Sequence, residues 1–282
     1  MPYSAEISRN NPTLFVFLID QSGSMDEGVP DSEEPNRKKA AALSLAVNRL
    51  LQNLVIRCAK EEGIRDYFNV CVLGYGSTVG PAFIGPLAGR EIVPISDVGN
   101  MPARVGQKVK KTDDGAGGIL EQTIRLPIWF DPVAAGGTPM CSVLAQSQAV
   151  VQGWLAQHPD CFPPVVINIT DGESTDGNPT AAMKALTSLA SSDGNVLLFN
   201  IHISSDGSAK PIAFPDSSAG LPDQYAIQLF EGASPLTYNM RAVANSQHGM
   251  TLSDGARGYV FNADMVLVIQ ALDIGTRPSN LR

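Results

Sequence analysis

Residues 14–19 read Leu-Phe-Val-Phe-Leu-Ile, six apolar side chains in a row, and the run stops at Asp20. A strand that faces water on one side alternates polar with apolar. One that is apolar throughout has to be covered on both faces, as in the centre of a parallel sheet with helices above and below. The next periodic stretch, 37–62, supplies such a cover. Leu43, Val47, Leu50, Leu54 and Cys58 step by four, three, four and four, the buried stripe of a helix, and Gly63 stands where a helix would end.

The same alternation continues. Strands are expected at 68–75, 165–170, 196–204 and 259–261. Helices are expected at 140–157 (closed by His158-Pro159), at 179–192 with Pro179 leading it, at 221–231, 237–247 and 264–272. This predicts an α/β fold: a doubly wound, mostly parallel sheet flanked by helices, with one interruption. Residues 77–137 hold Pro81, Pro86, Pro94, Pro102, Pro127 and Pro132, the basic Lys108, Lys110 and Lys111, and the glycine-rich 115–118, with no helical period. Pieces 91–95 and 123–130 are β-prone, so the segment reads as a β-rich insertion with one or two hairpins. It belongs to a single domain, 1–282, whose core spans about 13–272. Trp129 and Trp154 are expected to pack in the core or insertion.

Composition narrows the function. Hydrophobic residues are 44% and charged residues 17%, which excludes a disordered or coiled-coil chain. A formal net charge of −8 argues against sequence-independent nucleic-acid binding and against docking on anionic lipid. The polar start, 1–11, lacks a signal-peptide core, and no apolar stretch approaches the ~20 residues of a membrane span. Cys58, Cys71, Cys141 and Cys161 show no metal spacing and sit among apolar neighbours, as free buried thiols of a reducing compartment would; the expected location is the cytoplasm.

Asp20-Gln-Ser22-Gly-Ser24-Met25 follows the first strand directly, and Asp171-Gly-Glu173 follows the strand 165–170 in the same way. Ligands of open parallel sheets bind outside the carboxyl ends of strands. A third hydroxyl, Thr138, sits in Gly136-Gly137-Thr138-Pro139 just before a helix, and the glycines leave that loop room to shift. Each piece alone reads equally well as a cap or a turn. Together they offer two carboxylates and three hydroxyls, hard oxygen donors for Mg²⁺, Mn²⁺ or Ca²⁺ rather than zinc, and too few anions to saturate the ion. An open position calls for an acidic group from elsewhere.

Asp20-x-Ser22-x-Ser24, Thr138-Pro139 and Thr170-Asp171-Gly172, in that order, resemble the von Willebrand factor A (VWA) family with its complete metal-ion-dependent adhesion site (MIDAS). The resemblance runs over about 13–272. It implies a Rossmann-like sheet with the cation at its top, Asp20, Ser22, Ser24, Thr138 and Asp171 as the metal residues, and a partner protein's Asp or Glu completing the shell. It also implies that the threonine moves into direct coordination when that group arrives. Stretches 135–140, 162–173 and 200–204 are similar to bacterial stand-alone members such as the tellurite-resistance-associated type. That similarity implies a bacterial signalling, stress-response or defence setting, with a kinase and phosphatase nearby. The stretch from Asp20 to Thr138 is longer than a minimal domain of this kind needs, which makes 77–137 a candidate for partner specificity.

Other polar residues are candidates for the rim or support of this site. Glu173 and Asp176 follow the second carboxylate, and Asn168, Asn200 and His202 interrupt apolar strands, with Ser204 on the face of Asn200 and His202. Only three histidines are present, without zinc spacing. The expected function is a metal-dependent protein-binding module and not an enzyme. The alternative is a hydrolase, such as a phosphoesterase, using the same cation; against it, Ser22 and Ser24 have no base within their motif, and neither a P-loop lysine nor a nucleophile elbow is present.

Overall fold

A computed structural model describes residues 2–29, 37–113, 119–203 and 210–277, with backbone alone at 108–113 and 119–124. Ser204 and the glycine-rich 115–118 lie outside the described residues, as do the side chains of Lys108, Lys110 and Lys111.

The strands are β1 Thr13–Asp20, β2 Phe68–Tyr75, β3 Val79–Pro81, β4 Val93–Pro94, β5 Arg104–Asp113, β6 Ile119–Ile128, β7 Val165–Thr170, β8 Leu197–Ile203, β9 Ile212–Ala213 and β10 Tyr259–Ala263. The helices are α1 Lys39–Cys58, α2 Ile95–Asn100, α3 Met140–Gln157, α4 Thr180–Ser188, α5 Gln224–Gly232, α6 Tyr238–His248 and α7 Met265–Thr276. The main sheet runs β9-β10-β8-β7-β1-β2-β3, with β4 also on β2. Pairs β1–β2, β1–β7, β7–β8 and β8–β10 are parallel; only the edges, β3, β4 and β9, are antiparallel. This is the expected doubly wound α/β sheet.

Every residue of β1 is buried. Phe15, Phe17 and Ile19 face the layer of α1 and α7, while Leu14, Val16 and Leu18 face that of α3 and α4. Burying one such side chain contributes about 1.5–3 kcal/mol, so two-sided cover makes this strand the anchor of the fold. From β1 the chain winds outward through α1 to β2. From β7 it winds the opposite way to β8 and β10. The order therefore reverses between β1 and β7, and a crevice opens at their carboxyl ends.

Three expectations need correction. Helix α4 ends at Ser188, not near residue 192, because Ala190-Ser191 and Gly194-Asn195 pair as a tight antiparallel turn. Helix α1 ends at Cys58, not near residue 62, because Ala59-Lys60 and Gly63-Ile64 pair as a tight antiparallel turn in which Gly63 takes φ 119°. Gly63 serves that turn rather than a helix end. The insertion is also less purely β than its sequence suggests. It contains the one-and-a-half-turn α2, too short to show a period, beside the β5–β6 hairpin. Its Phe83, Leu87, Val93, Ile95, Val98, Trp129 and Phe130 are buried in the main core. Polar positions on α1 receive it: the Asn48 side chain accepts from the Trp129 backbone N–H at 2.8 Å and donates to the Phe130 carbonyl at 3.1 Å, and Ser44 Oγ donates there too. The indole of Trp129 donates to the Val98 carbonyl, and Trp154 is buried on α3.

All four cysteines are free; Cys58, Cys71 and Cys161 are buried, whereas Cys141, at the start of α3, is only partly so. Among the described residues no helix is long and apolar enough to cross a membrane.

Candidate metal centre

Parallel register sets Asp20 opposite Tyr75 and Ile19 opposite Ile169, so β1 and β7 end side by side with Asp171 one step beyond. After Asp20 the chain turns at once. Ser22 precedes a single 3-10 turn, Gly23–Asp26, without capping it through its side chain, and Met25 is driven fully into the core, which leaves Ser22 and Ser24 at the crevice.

Hydrogen bonds link these residues in one run, through the Ser22 backbone at one step. Asp20 Oδ1 accepts the Ser22 backbone N–H at 2.8 Å, and Oδ2 accepts the Thr170 hydroxyl at 2.7 Å. The Ser22 and Ser24 hydroxyls lie 3.0 Å apart, and Ser24 Oγ donates to Asp171 Oδ1 at 2.8 Å. Burial pushes the Asp20 carboxyl up, and the nearby Asp171 adds to this, while the hydrogen bonds from Ser22 and Thr170 oppose it. A buried, anion-crowded carboxylate of this kind is stabilised by an added cation.

Thr138 is buried, and its loop is tied to both neighbours. Ala135 N–H donates to the Gln21 carbonyl at 2.7 Å and Gly23 N–H to the Gly136 carbonyl at 2.9 Å. On the other side Thr138 N–H donates to Thr175 Oγ1, and Thr175 N–H to the Thr138 carbonyl, both at 2.9 Å. Gly136 has φ 84°, and a Cβ there would come within 2.5 Å of Ser77 backbone. That glycine is required by close packing, which replaces the expectation that it gives the loop freedom.

The structure thus brings Asp20, Ser22, Ser24 and Asp171 into contact and the Thr138 loop against them. The donors are all oxygens, and among the described residues no group of three or more His, Cys, Asp or Glu converges. Such a set fits a hard divalent ion.

The surrounding candidates divide. Asp176 caps α3: its carboxylate accepts from the backbone N–H groups of Cys141 and Ser142 at 2.9 Å and from the hydroxyls of Ser142 and Ser174. Burial would raise its pKa, but these four donors outweigh that and hold it at about 2. Glu173 is exposed and accepts from the Tyr225 hydroxyl, which this bond pushes up. Glu173 and Tyr225, with Met140, Gly172, Pro179 and Leu229, line a cavity of about 230 Å³ beside Asp171.

Asn168 and Asn200 are register partners and hydrogen bond at 3.1 Å. The Tyr75 hydroxyl donates to Asn168 Oδ1 at 2.7 Å, and Asn200 donates to the Leu229 carbonyl at 2.8 Å. Asn168 of β7 and Asn200 of β8 therefore form, with Tyr75, a buried hydrogen-bonded network. His202 is bonded elsewhere, accepting from the Asn262 backbone N–H and stacking on Phe261.

Sequence reasoning missed Lys39. It is 1% exposed, and its Nζ lies 2.7 Å from Asp171 Oδ2 and 2.9 Å from Glu27 Oε2. Its one mark in the sequence is its place in the first turn of an apolar helix, where a positive charge opposes the helix dipole.

Neither a family model nor a curated relative matches the chain. Among solved structures it is similar to the vWF domain of the type V pili tip protein Mfa5 from Porphyromonas gingivalis, at 12% identity and TM-score 0.33, over 86% of this chain and 55% of that one. The three N-terminal domains of the same protein give 13% and 0.29, over 58% and 20%. The pilus adhesin RrgA from Streptococcus pneumoniae gives 15% and 0.31, over 61% and 22%. The chain thus spans about half or less of the length of these proteins.

Proposed function

We propose that this chain is a metal-dependent protein-binding module and not an enzyme. Asp20, Ser22, Ser24, Thr138 and Asp171 would hold Mg²⁺, or Mn²⁺ or Ca²⁺, and a partner protein's Asp or Glu would complete the shell. The observation that carries this reading is the continuous hydrogen-bonded run from Asp20 through Ser22 and Ser24 to Asp171, at the point where the strand order reverses. When bound, the ion supplies positive charge and an open position for a carboxylate. The protein's part is to hold the oxygens on two strand ends and on the Thr138 loop, and to shield them on the Asp20 side. The cavity beside Gly172 and Glu173 has room for a side chain flanking the partner's acidic residue. Such a module would serve a bacterial signalling, stress-response or defence assembly, the setting that the sequence resemblance implies.

A phosphoesterase using the same ion is the competing reading. Ser24 does meet a carboxylate, but Asp171 already shares its charge with Lys39. Pull-down from lysate with Mn²⁺, reversed by EDTA, separates the two when set beside turnover of generic phosphoesters. Capture without turnover supports the module; turnover that depends on Asp20 and Ser24 overturns it.

Thr138→Ala gives a finer test with the partner so captured. Water can replace one neutral hydroxyl, so the metal affinity should fall by about 1 kcal/mol or less. The partner complex should weaken more, because an added carboxylate forces the oxygens to rearrange. Calorimetry on both equilibria checks this, and equal losses would make Thr138 a fixed donor.

A further inference from the structure

Lys39 is unusual on three counts. It is almost wholly buried, it stands at the start of α1 with no acidic residue in that first turn, and its ammonium meets two carboxylates brought from elsewhere in the chain. Its position is set by the backbone: Lys39 N–H donates to the Glu27 carbonyl at 2.9 Å, and Val29 N–H donates to the Arg37 carbonyl, so 27–29 and 37–39 run together beside the Asp20 turn. Asp171 is shared, one oxygen to Ser24 and the other to Lys39. A buried ammonium is costly without such partners, and two adjacent buried carboxylates are costly without a cation.

We infer that the Lys39 ammonium is a built-in counter-cation of the metal centre, joining the Asp171 and Asp20 loops in the metal-free protein and weakening the hold on a divalent ion. This rests on the metal-binding reading above. The charge of Lys39 stabilises the two loops when the centre has no ion, so metal is not needed for folding. The same charge repels an arriving divalent ion, so binding is weak and reversible. A single positive charge a few ångströms from a divalent ion lowers its affinity on the order of tenfold even at the dielectric of water.

The experiment compares wild type, Lys39→Gln and Lys39→Arg by Mn²⁺ calorimetry and by thermal melts in EDTA and in Mn²⁺. Glutamine keeps a donor for Asp171 without the charge; arginine keeps the charge. Lys39→Gln should bind Mn²⁺ about tenfold more tightly than wild type. It should melt lower in EDTA and gain more from Mn²⁺, while Lys39→Arg stays near wild type. Should Lys39→Gln be unfolded in EDTA, Mn²⁺ should restore it, and a protein that stays unfolded at saturating Mn²⁺ overturns the inference. Mn²⁺ bound by wild type with unchanged or weaker affinity in Lys39→Gln also overturns the role of Lys39, and leaves the metal centre standing. No binding by either protein overturns both.

Discussion

Asp171→Ala should destabilise the metal-free protein by about 3 kcal/mol, whereas Asp20→Ala should change its stability by no more than about 1 kcal/mol. The two carboxylates occupy equivalent places after their strands, but their surroundings differ. The Asp171 side chain is fully covered and neutralises Lys39, which is itself buried. Removing one member of a buried ion pair strands the other, at a cost of about 3–5 kcal/mol; Glu27, whose side chain is largely exposed, offsets part of it. Asp20 has no cationic partner in the described hydrogen bonds, and its carboxyl is pushed up by burial. Its removal takes away hydrogen bonds from Ser22 and Thr170 but also relieves an unfavourable burial. Urea unfolding in EDTA measures both, and equal losses would contradict this account of the crevice.

Asn168→Leu should cost about 2–3 kcal/mol although the replacement fits a buried site by size. Asn168 is completely buried, accepting from the Tyr75 hydroxyl and donating to Asn200, with a weaker contact to the Met140 sulfur at 3.8 Å. Leucine leaves Tyr75 and Asn200 with unmet hydrogen-bonding capacity in an apolar layer, and the 3.3 Å contact of Tyr75 with the Ile169 carbonyl is a poor substitute. The coupling can be read directly: the double variant Tyr75→Phe with Asn168→Leu should lose less than the two single losses together. Strict additivity in urea unfolding would show that the network is not one unit.

Legibility in the sequence followed how much each element depends on its own residues. Strands β1, β2 and β7 and helix α3 are readable almost to the residue, because a mostly apolar run or a long helical stripe marks each of them. Helix α1 was overextended because Gly63 reads as a stop, when its positive φ belongs to the turn that follows. Helix α2 left no trace at six residues. The candidate metal residues were readable because oxygen donors at strand ends are conspicuous. Lys39 was not, because its partner Asp171 is distant in sequence and only the parallel register of β1 with β7 brings the two ends together. The fate of Asp176 was hidden for the same reason: its work as a cap depends on where α3 begins in space.

Asp20, Ser22, Ser24, Thr138 and Asp171 should together hold one divalent cation. Calorimetric titration of Mn²⁺ into EDTA-stripped wild type and Asp20→Ala, both checked for folding, tests it most directly. Wild type should show one binding event, with a dissociation constant between about micromolar and millimolar, as expected for two carboxylates and neutral hydroxyls, and Asp20→Ala should show none. Absence of binding in wild type, or undiminished binding in Asp20→Ala, would contradict it.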